Sequence, residues 1–412
     1  MAADAPARRI VFVNRFFYPD ESATAQILTD LATHLAASGW DVTVVSSRPR
    51  RGQSEPPRLS VLAQVEVKPV LSTHLGGRSH VGKLLDYASF YAGALIVLWR
   101  TVRAGDLVVA KTDPPLISVA AMLVSARKRA TQVNWLQDLY PEVAQQLGAP
   151  LVSGVPGRML TALRNRSLRG AACNVVIGKL MGERLEAHCV PPQQIACIAN
   201  WADEQAIRPH ATSGASFRQR LGYSDSEFVV GYSGNLGRAH EAETLLGAAK
   251  LLQDHPAVRF LMIGGGAQNA LLRRRAGDLG LSNIRFVDHQ PRDALAETLG
   301  AADVHWISLR PELEGLIVPS KFYGILAAGR PVIAVACTDG EVAREIDSID
   351  CGLSVEPGDA SGFAAAILQL VKNPALGAEM GGRARAASEE RLSKRRALQQ
   401  WEKLLDRLQR GT

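Results

Sequence analysis

Short apolar runs of strand length recur along the whole chain, and most are separated by stretches with the spacing of amphipathic or apolar helices. The first series reads RIVFVN (9–14), DVTVVS (41–46), LVVAK (107–111), TQVNWL (131–136), NVVIG (174–178) and QIACIAN (194–200). The rhythm restarts with FVVGYSG (228–234), RFLMIGG (259–265), NIRFVD (283–288), VHWISL (304–309), PVIAVA (331–336) and GLSVEP (352–357). Strands that are apolar throughout are buried on both faces, and their alternation with helices implies parallel sheets covered on each side. Two such series imply two doubly wound α/β domains. A length of 412 residues agrees, since single cores stop growing at about 250–300 residues.

The break falls between Ile198 and Phe217, where ANWADEQAIRPHATSGAS is rich in Ala, Pro, Gly and Ser and carries no apolar period. The expected organisation is a domain over 1–205, a second over 206–385, and a terminal helix in 386–412. That helix aligns Ala397, Trp401, Leu404, Leu405 and Leu408 in one stripe, suited to packing back on the first domain. Ligands of doubly wound sheets bind outside the carboxyl ends of the strands, where strand order switches. Two such edges facing each other would hold a ligand in a central cleft.

A net charge of +7 calls for an anionic partner. Nucleic acid is excluded, because no arginine-rich stretch is interleaved with aromatics and aromatics make up only 6% of the chain. A membrane surface fits better. Arg48, Arg50 and Arg51 cluster after a strand, while Arg78 and Lys83 precede YASFYAGALIVLW (87–99), which runs into Arg100 and Arg103. That segment is too short to span a bilayer and suits a buried or an interfacial helix. Five dispersed cysteines without CxxC spacing read as small buried hydrophobes in a reducing compartment. The start, MAADAPARR, has no apolar signal region, so the expected location is the cytoplasm, in peripheral contact with the inner membrane face.

Three loops in the second half carry phosphate-binding features. GYSGNLGRAHEAETLL (231–246) puts Gly231, Gly234 and Gly237 at a strand-to-helix junction, where backbone N–H groups at Gly234 and Asn235 can approach a diphosphate beside Arg238 and His240. IGGGAQNALLRRR (263–275), centred on Gly265, lacks the last glycine of a nicotinamide fingerprint, although Asp288 stands at the acidic position. In GLIVPSKFYGILAAGRPVIA (315–334), Ser320 reads as the N-cap of a helix over Phe322 to Ala328 that stops at Gly329-Arg330-Pro331. Lys321 at that helix start makes an anion site. All three loops follow strands of one domain and should meet at one sheet edge, with Gln290 beyond NIRFVD on the same edge. A nucleoside diphosphate fits there. Glu314 can accept hydrogen bonds from sugar hydroxyls, and Glu312 reads as part of a solvated acidic loop.

On these motifs the second half resembles the nucleotide-sugar domain of GT-B fold family 4 glycosyltransferases. The family's EG…P and AxGxPV patterns match Glu314-Gly315-Leu316-Ile317-Val318-Pro319 and Ala328-Gly329-Arg330-Pro331-Val332. FFYPDESATAQILTDLATHLAASGWDVTVV (16–45) and VPPQQIACIANWAD (190–203) are similar to the family's first turn and inter-domain segment, so the likeness covers nearly the whole chain. YSGNLGRAH, PSKFYGILAAGRP and WLQDLYPE look most like the branch with colanic-acid and O-antigen transferases, some assigned to fucosamine.

The resemblance implies a retaining transfer from a nucleotide diphosphate-sugar, UDP-linked, to a lipid-linked saccharide in cell-envelope or exopolysaccharide synthesis. The donor would be held by Gly234, Asn235, Arg238, Gly265, Gln290, Ser320 and Lys321, with Glu314 on the sugar hydroxyls. Gln137 and Asp138 would orient sugar or acceptor, Gln137 standing where the family often has histidine; capping a helix before Pro141 is the alternative for Asp138. The leaving phosphate would take the acceptor's proton, and the absence of DxD implies neither metal nor other cofactor. Several positions depart from the family. Paired glycines of its first loop are replaced by Ser22-Ala23-Thr24, its diphosphate-binding arginine and lysine fall at Asn235 and His240, and its second glutamate falls at Gly324. A nucleotide-sugar epimerase, a non-catalytic sugar-nucleotide binder and a nicotinamide oxidoreductase are the competing readings.

Overall fold

The computed structural model describes residues 8–48, 64–73, 75, 80–209 and 211–411. Arg50, Arg51 and Arg78 lie outside them, as does the Lys83 side chain. The chain folds as two compact units, one running to Ala199 and taking back the end of the chain from Leu398, the other spanning Asn200–Ala397. The first boundary therefore precedes the expected one. The Ala-, Gly- and Ser-rich stretch beyond it is not all linker, because a helix occupies Ala211–Arg220.

Among the described residues the first unit holds seven strands: β1 (Arg9–Val13), β2 (Asp41–Ser47), β3 (Val65–Val70), β4 (Leu107–Lys111), β5 (Thr131–Trp135), β6 (Cys173–Val176) and β7 (Ile195–Cys197), in the order β3-β2-β1-β4-β5-β6-β7. The second holds β8 (Phe228–Ser233), β9 (Val258–Ile263), β10 (Ile284–Val287), β11 (Val304–Ser308), β12 (Val332–Val335) and β13 (Gly352–Val355), in the order β10-β9-β8-β11-β12-β13. All pairings are parallel. In each sheet the order runs backwards and then reverses, so the switch points lie between β1 and β4 and between β8 and β11. These are the two places where such sheets bind ligands.

Sequence patterning missed β3, whose VEVKPV is polar at alternate positions and contains Pro69. An edge strand tolerates both, and among the described residues β3 pairs with β2 alone. Buried Val, Ile, Phe and Trp side chains of the central strands form the core of each unit, including Val11, Val13 and Val108 in the first and Val230, Phe260 and Trp306 in the second. The terminal helix, Lys394–Arg410, buries Trp401 and Leu405 in the first unit, where the Trp401 ring lies 4.5 Å from that of Trp135. Cys173 and Cys351 are buried as expected. Cys189 and Cys197 are exposed instead, and none of the five is disulfide-bonded.

Candidate active site

At the second switch point the two glycine turns interlock. Gly234 N–H donates to the Ile263 carbonyl (2.9 Å), Leu236 N–H to that of Gly265 (2.7 Å), and Gly264 N–H to that of Val287 (2.9 Å), tying the ends of β8, β9 and β10 together. Gly264 has φ +117°, and a Cβ there would lie 2.3 Å from the Gly234 carbonyl oxygen. Backbone meets backbone, so nothing can give way. Gly264→Ala is expected to cost about 2–4 kcal/mol, read as the shift of a denaturant midpoint, from strained φ and overpacking together.

The Lys321 side chain runs across this junction. A Cβ on Gly234, whose φ is +134°, would sit 2.7 Å from Lys321 Cε, so the missing side chain is what lets the lysine through. Its Nζ ends 3.4 Å from His240 Nε2 and 5.2 Å from the centre of the Tyr232 ring. Burial brings the ammonium down to about 8. His240 is not the charge partner the sequence suggested. Burial, and after it the Lys321 charge, push it down to about 4. Its Nδ1 lies 2.8 Å from the Ser308 carbonyl oxygen, which can only accept, so Nδ1 carries the proton and Nε2 faces Lys321 as an acceptor.

Ser320 differs from expectation. It already has helical φ and ψ (−63°, −20°), makes no capping bond, and is exposed. The helix that follows, Lys321–Ala327, is too short for a large macrodipole, so cationic character there resides in the Lys321 side chain. Asn235 and Arg238 are exposed in the loop after β8, and Gly265 is exposed after β9. Gln290 is half-buried beyond β10 and donates to the Asp288 carbonyl (3.0 Å). Gly231 is not part of this edge: it lies within β8, where a Cβ would meet Ala302 at 2.5 Å. Glu312 is half-buried and ion-paired with Arg310.

Glu314 is 9% exposed, and its Oε2 accepts from Glu341 N–H (3.3 Å) at the start of the helix Glu341–Ile349. Burial pushes its carboxyl up to about 7, helped by Asp339 and Glu341. A raised carboxyl binds its proton more tightly in the folded than in the unfolded chain. Its stabilising contribution is therefore full below about 4.5 and lost as pH rises through 7. Glu314→Gln is expected to melt higher than wild type at pH 8, by up to about 3 kcal/mol, with the gap closing by pH 5.

The first switch point carries a second polar cluster, and Lys111, Asp113 and Arg15 in it had not been singled out from the sequence. Lys111 ends β4 fully buried, its Nζ donating to the Thr24 carbonyl (2.8 Å) and lying 3.9 Å from the Trp135 ring centre. Burial depresses it well below the usual lysine range. Asp138 follows β5. Burial and then Asp113 raise it to about 7, against the pull of Lys111. Asp113 is raised by burial to about 6, with Arg15 opposing. Arg15 lies 5.4 and 5.3 Å from the Phe16 and Tyr87 ring centres, 3.6 Å from Asp86. Gln137 N–H donates to Thr112 Oγ1 (2.8 Å), and a cavity of about 20 Å³, room for one water, adjoins Lys111, Asp138 and Tyr140. The helix Glu142–Gln146 begins after Pro141 with no side-chain cap, so Asp138 does not cap it. A charged residue at the carboxyl end of an apolar parallel strand, as in LVVAK, was the available signal for Lys111.

Two family models match these same halves: "Glycosyl transferase 4-like domain" over residues 22–201 and "Glycosyl transferases group 1" over 227–373. The chain belongs to the family 4 glycosyltransferases. Among relatives of this transferase, "Probable glycosyltransferase WbjE" of Pseudomonas aeruginosa is 28% identical, over 68% of this chain and 71% of that one. WcaI of Escherichia coli K12, assigned as a colanic acid biosynthesis glycosyl transferase, is 26% identical over 72% and 74%. Both are glycosyltransferases, and the second supports the colanic-acid branch. The fold matches sucrose-phosphate synthase from Thermosynechococcus elongatus (TM-score 0.81, 18% identity, 98% and 100% of the chains). It also matches Anabaena HepE, solved in complex with UDP (0.71, 18%, 97% and 99%). Both domains of the transferase therefore have the GT-B type of fold.

Proposed function

We propose that this transferase moves a sugar, with retention of configuration, from a UDP-sugar to a lipid-linked saccharide during cell-envelope or exopolysaccharide synthesis. The observation that carries the reading is the buried Lys321 ammonium, led across Gly234 to the meeting point of two glycine turns at a sheet switch point. A diphosphate needs that combination of backbone donors and a fixed cation. UDP and UDP-glucose were bound by HepE, and that supports uridine as the base. In this reading Lys321, Arg238 and the N–H groups of Asn235 and Gly265 neutralise the departing diphosphate without a metal, which is electrostatic stabilisation of the leaving group; the N–H groups of Gly234, Leu236 and Gly264 are already used in tying the turns together. Glu314 holds donor hydroxyls, and Gln137 and Asp138 of the first unit orient the acceptor.

The test is thermal melting with UDP, GDP, ADP and NAD in turn, because a ligand that binds only the folded chain raises the midpoint by mass action. UDP alone should raise it by several degrees. A rise with NAD alone overturns the reading. Incubation of the UDP-sugar without acceptor separates the epimerase alternative, which would convert the sugar where a transferase leaves it intact.

A further inference from the structure

Three helices of the first unit, His80–Thr101, Ile117–Lys128 and Gly154–Gly170, share one layer, with Ile117–Lys128 packed against both others. The first two bury Phe90, Ala94, Leu98, Ala121 and Val124 against the sheet. An amphipathic helix then shows water a polar side. Here the outer side is apolar as well: Trp99 is 49% exposed, Ile96 53%, Leu123 54% and Met159 68%. The segment 87–99 is thus a buried helix on one face, as one of its two expected readings had it, and carries exposed apolar side chains on the other. Between the first two helices lies a groove of about 520 Å³, lined by Leu95, Ile96, Trp99 and Leu123 and flanked by Arg100 and Arg127.

The charge on this layer is one-sided. Arg100, Arg127, Arg158, Arg166 and Arg169 are exposed, and Lys128 Nζ lies 4.7 Å from the Trp99 ring centre. The three helices contain a single acidic residue, Asp86, which is buried and accepts from Thr73 Oγ1 and Leu75 N–H. A second copy of the chain is a poor occupant, because a two-fold contact would set these arginines against themselves. A layer of phospholipid offers what the face lacks. Its acyl boundary takes Leu, Ile and Met, its interface takes Trp, and its anionic headgroups take the arginines.

We propose that this three-helix face docks the transferase on an anionic phospholipid surface, Leu95, Ile96, Trp99, Leu123 and Met159 entering the acyl boundary and Arg100, Arg127 and Arg166 meeting headgroup phosphates. The docking gives the lipid-linked-acceptor reading a physical location, and its test uses no donor, so the two fail separately. Of the six tryptophans, Trp40, Trp135, Trp201, Trp306 and Trp401 are buried, which makes tryptophan emission a reporter of Trp99. Vesicles of phosphatidylglycerol in phosphatidylcholine should sediment the full chain, shift its emission to the blue and protect it from acrylamide. Trp99→Phe should keep most of the sedimentation and lose the shift. Arg100→Glu with Arg127→Glu should weaken vesicle binding about 25-fold or more, at about fivefold per cation, with an unchanged melting temperature. Equal binding to pure phosphatidylcholine, undiminished binding of the double variant, or vesicle binding without the spectral shift would each overturn the proposal. A concentration-dependent dimer abolished by the same double variant would give the face to a second copy and overturn it as well.

Discussion

Lys321→Met is expected to lower kcat/KM for sugar transfer by a factor of about 10²–10³, the usual cost of removing one preorganised donor from a departing oxygen. Methionine keeps the stem that crosses Gly234 and removes only the charge. The ammonium is held between Tyr232 and His240 in a largely buried position, where its Coulomb attraction for a phosphate is screened less than in water. The same burial makes it costly when the site is empty. Its pKa of about 8 lies below the ordinary lysine value, so the folded chain holds this proton less tightly than the unfolded chain does. The lysine's cost is full below about 8 and fades as pH rises towards 10.5. Lys321→Met should therefore melt higher than wild type at pH 7 while turning over more slowly. An alkaline limb near pH 8 in kcat/KM should vanish with it. A loss below tenfold would detach Lys321 from the diphosphate.

Asp138→Asn should lower kcat by about 10²–10⁴ with little change in affinity for UDP, if the carboxylate orients the acceptor as proposed and takes no part in holding the nucleotide. A carboxyl at about 7 changes charge within the working pH range, and orienting an acceptor hydroxyl requires the ionised form. Activity should rise as pH passes through 7, and the asparagine variant should lose that acidic limb. Asp113 supplies a sharper test, because its charge helps to raise Asp138. Asp113→Asn should move the limb to lower pH without abolishing turnover. The two carboxyls titrate as a coupled pair, so the shift is read on the whole profile. A limb that stays in place would separate Asp113 from the reacting centre.

Every strand but β3 was legible because it is short and mainly apolar, and the predicted limits mostly fall within a residue or two of the observed ones. Lys321 was legible for a local reason: the strand, the Pro-Ser-Lys turn and the helix that positions it are contiguous. What was not legible depends on sheet order. Arg15, Lys111 and Asp138 are far apart in sequence and meet because β1, β4 and β5 are neighbours, which no local pattern encodes. The protonation of His240 was misread for a similar reason, since its neutrality follows from burial and from Lys321 on a distant loop. Ser320 shows the opposite failure, in which a good capping residue is overridden by Pro319, whose carbonyl already accepts from Phe322 N–H (3.2 Å).

The return of the last helix to the first unit has a consequence for biogenesis. Trp401 covers Trp135, and through that ring the strand end carrying Lys111, yet all of Asn200–Ala397 must leave the ribosome before Trp401 does. At translation rates of about 5–20 residues per second, the amino-terminal sheet waits roughly 10–40 s for its final covering layer. During that interval its apolar edge is open to chaperones and proteases, and a chain stopped short of Leu398 never closes it. The terminal helix thus acts as a check on synthesis, because the first sheet is finished only after Leu398 onward has been made.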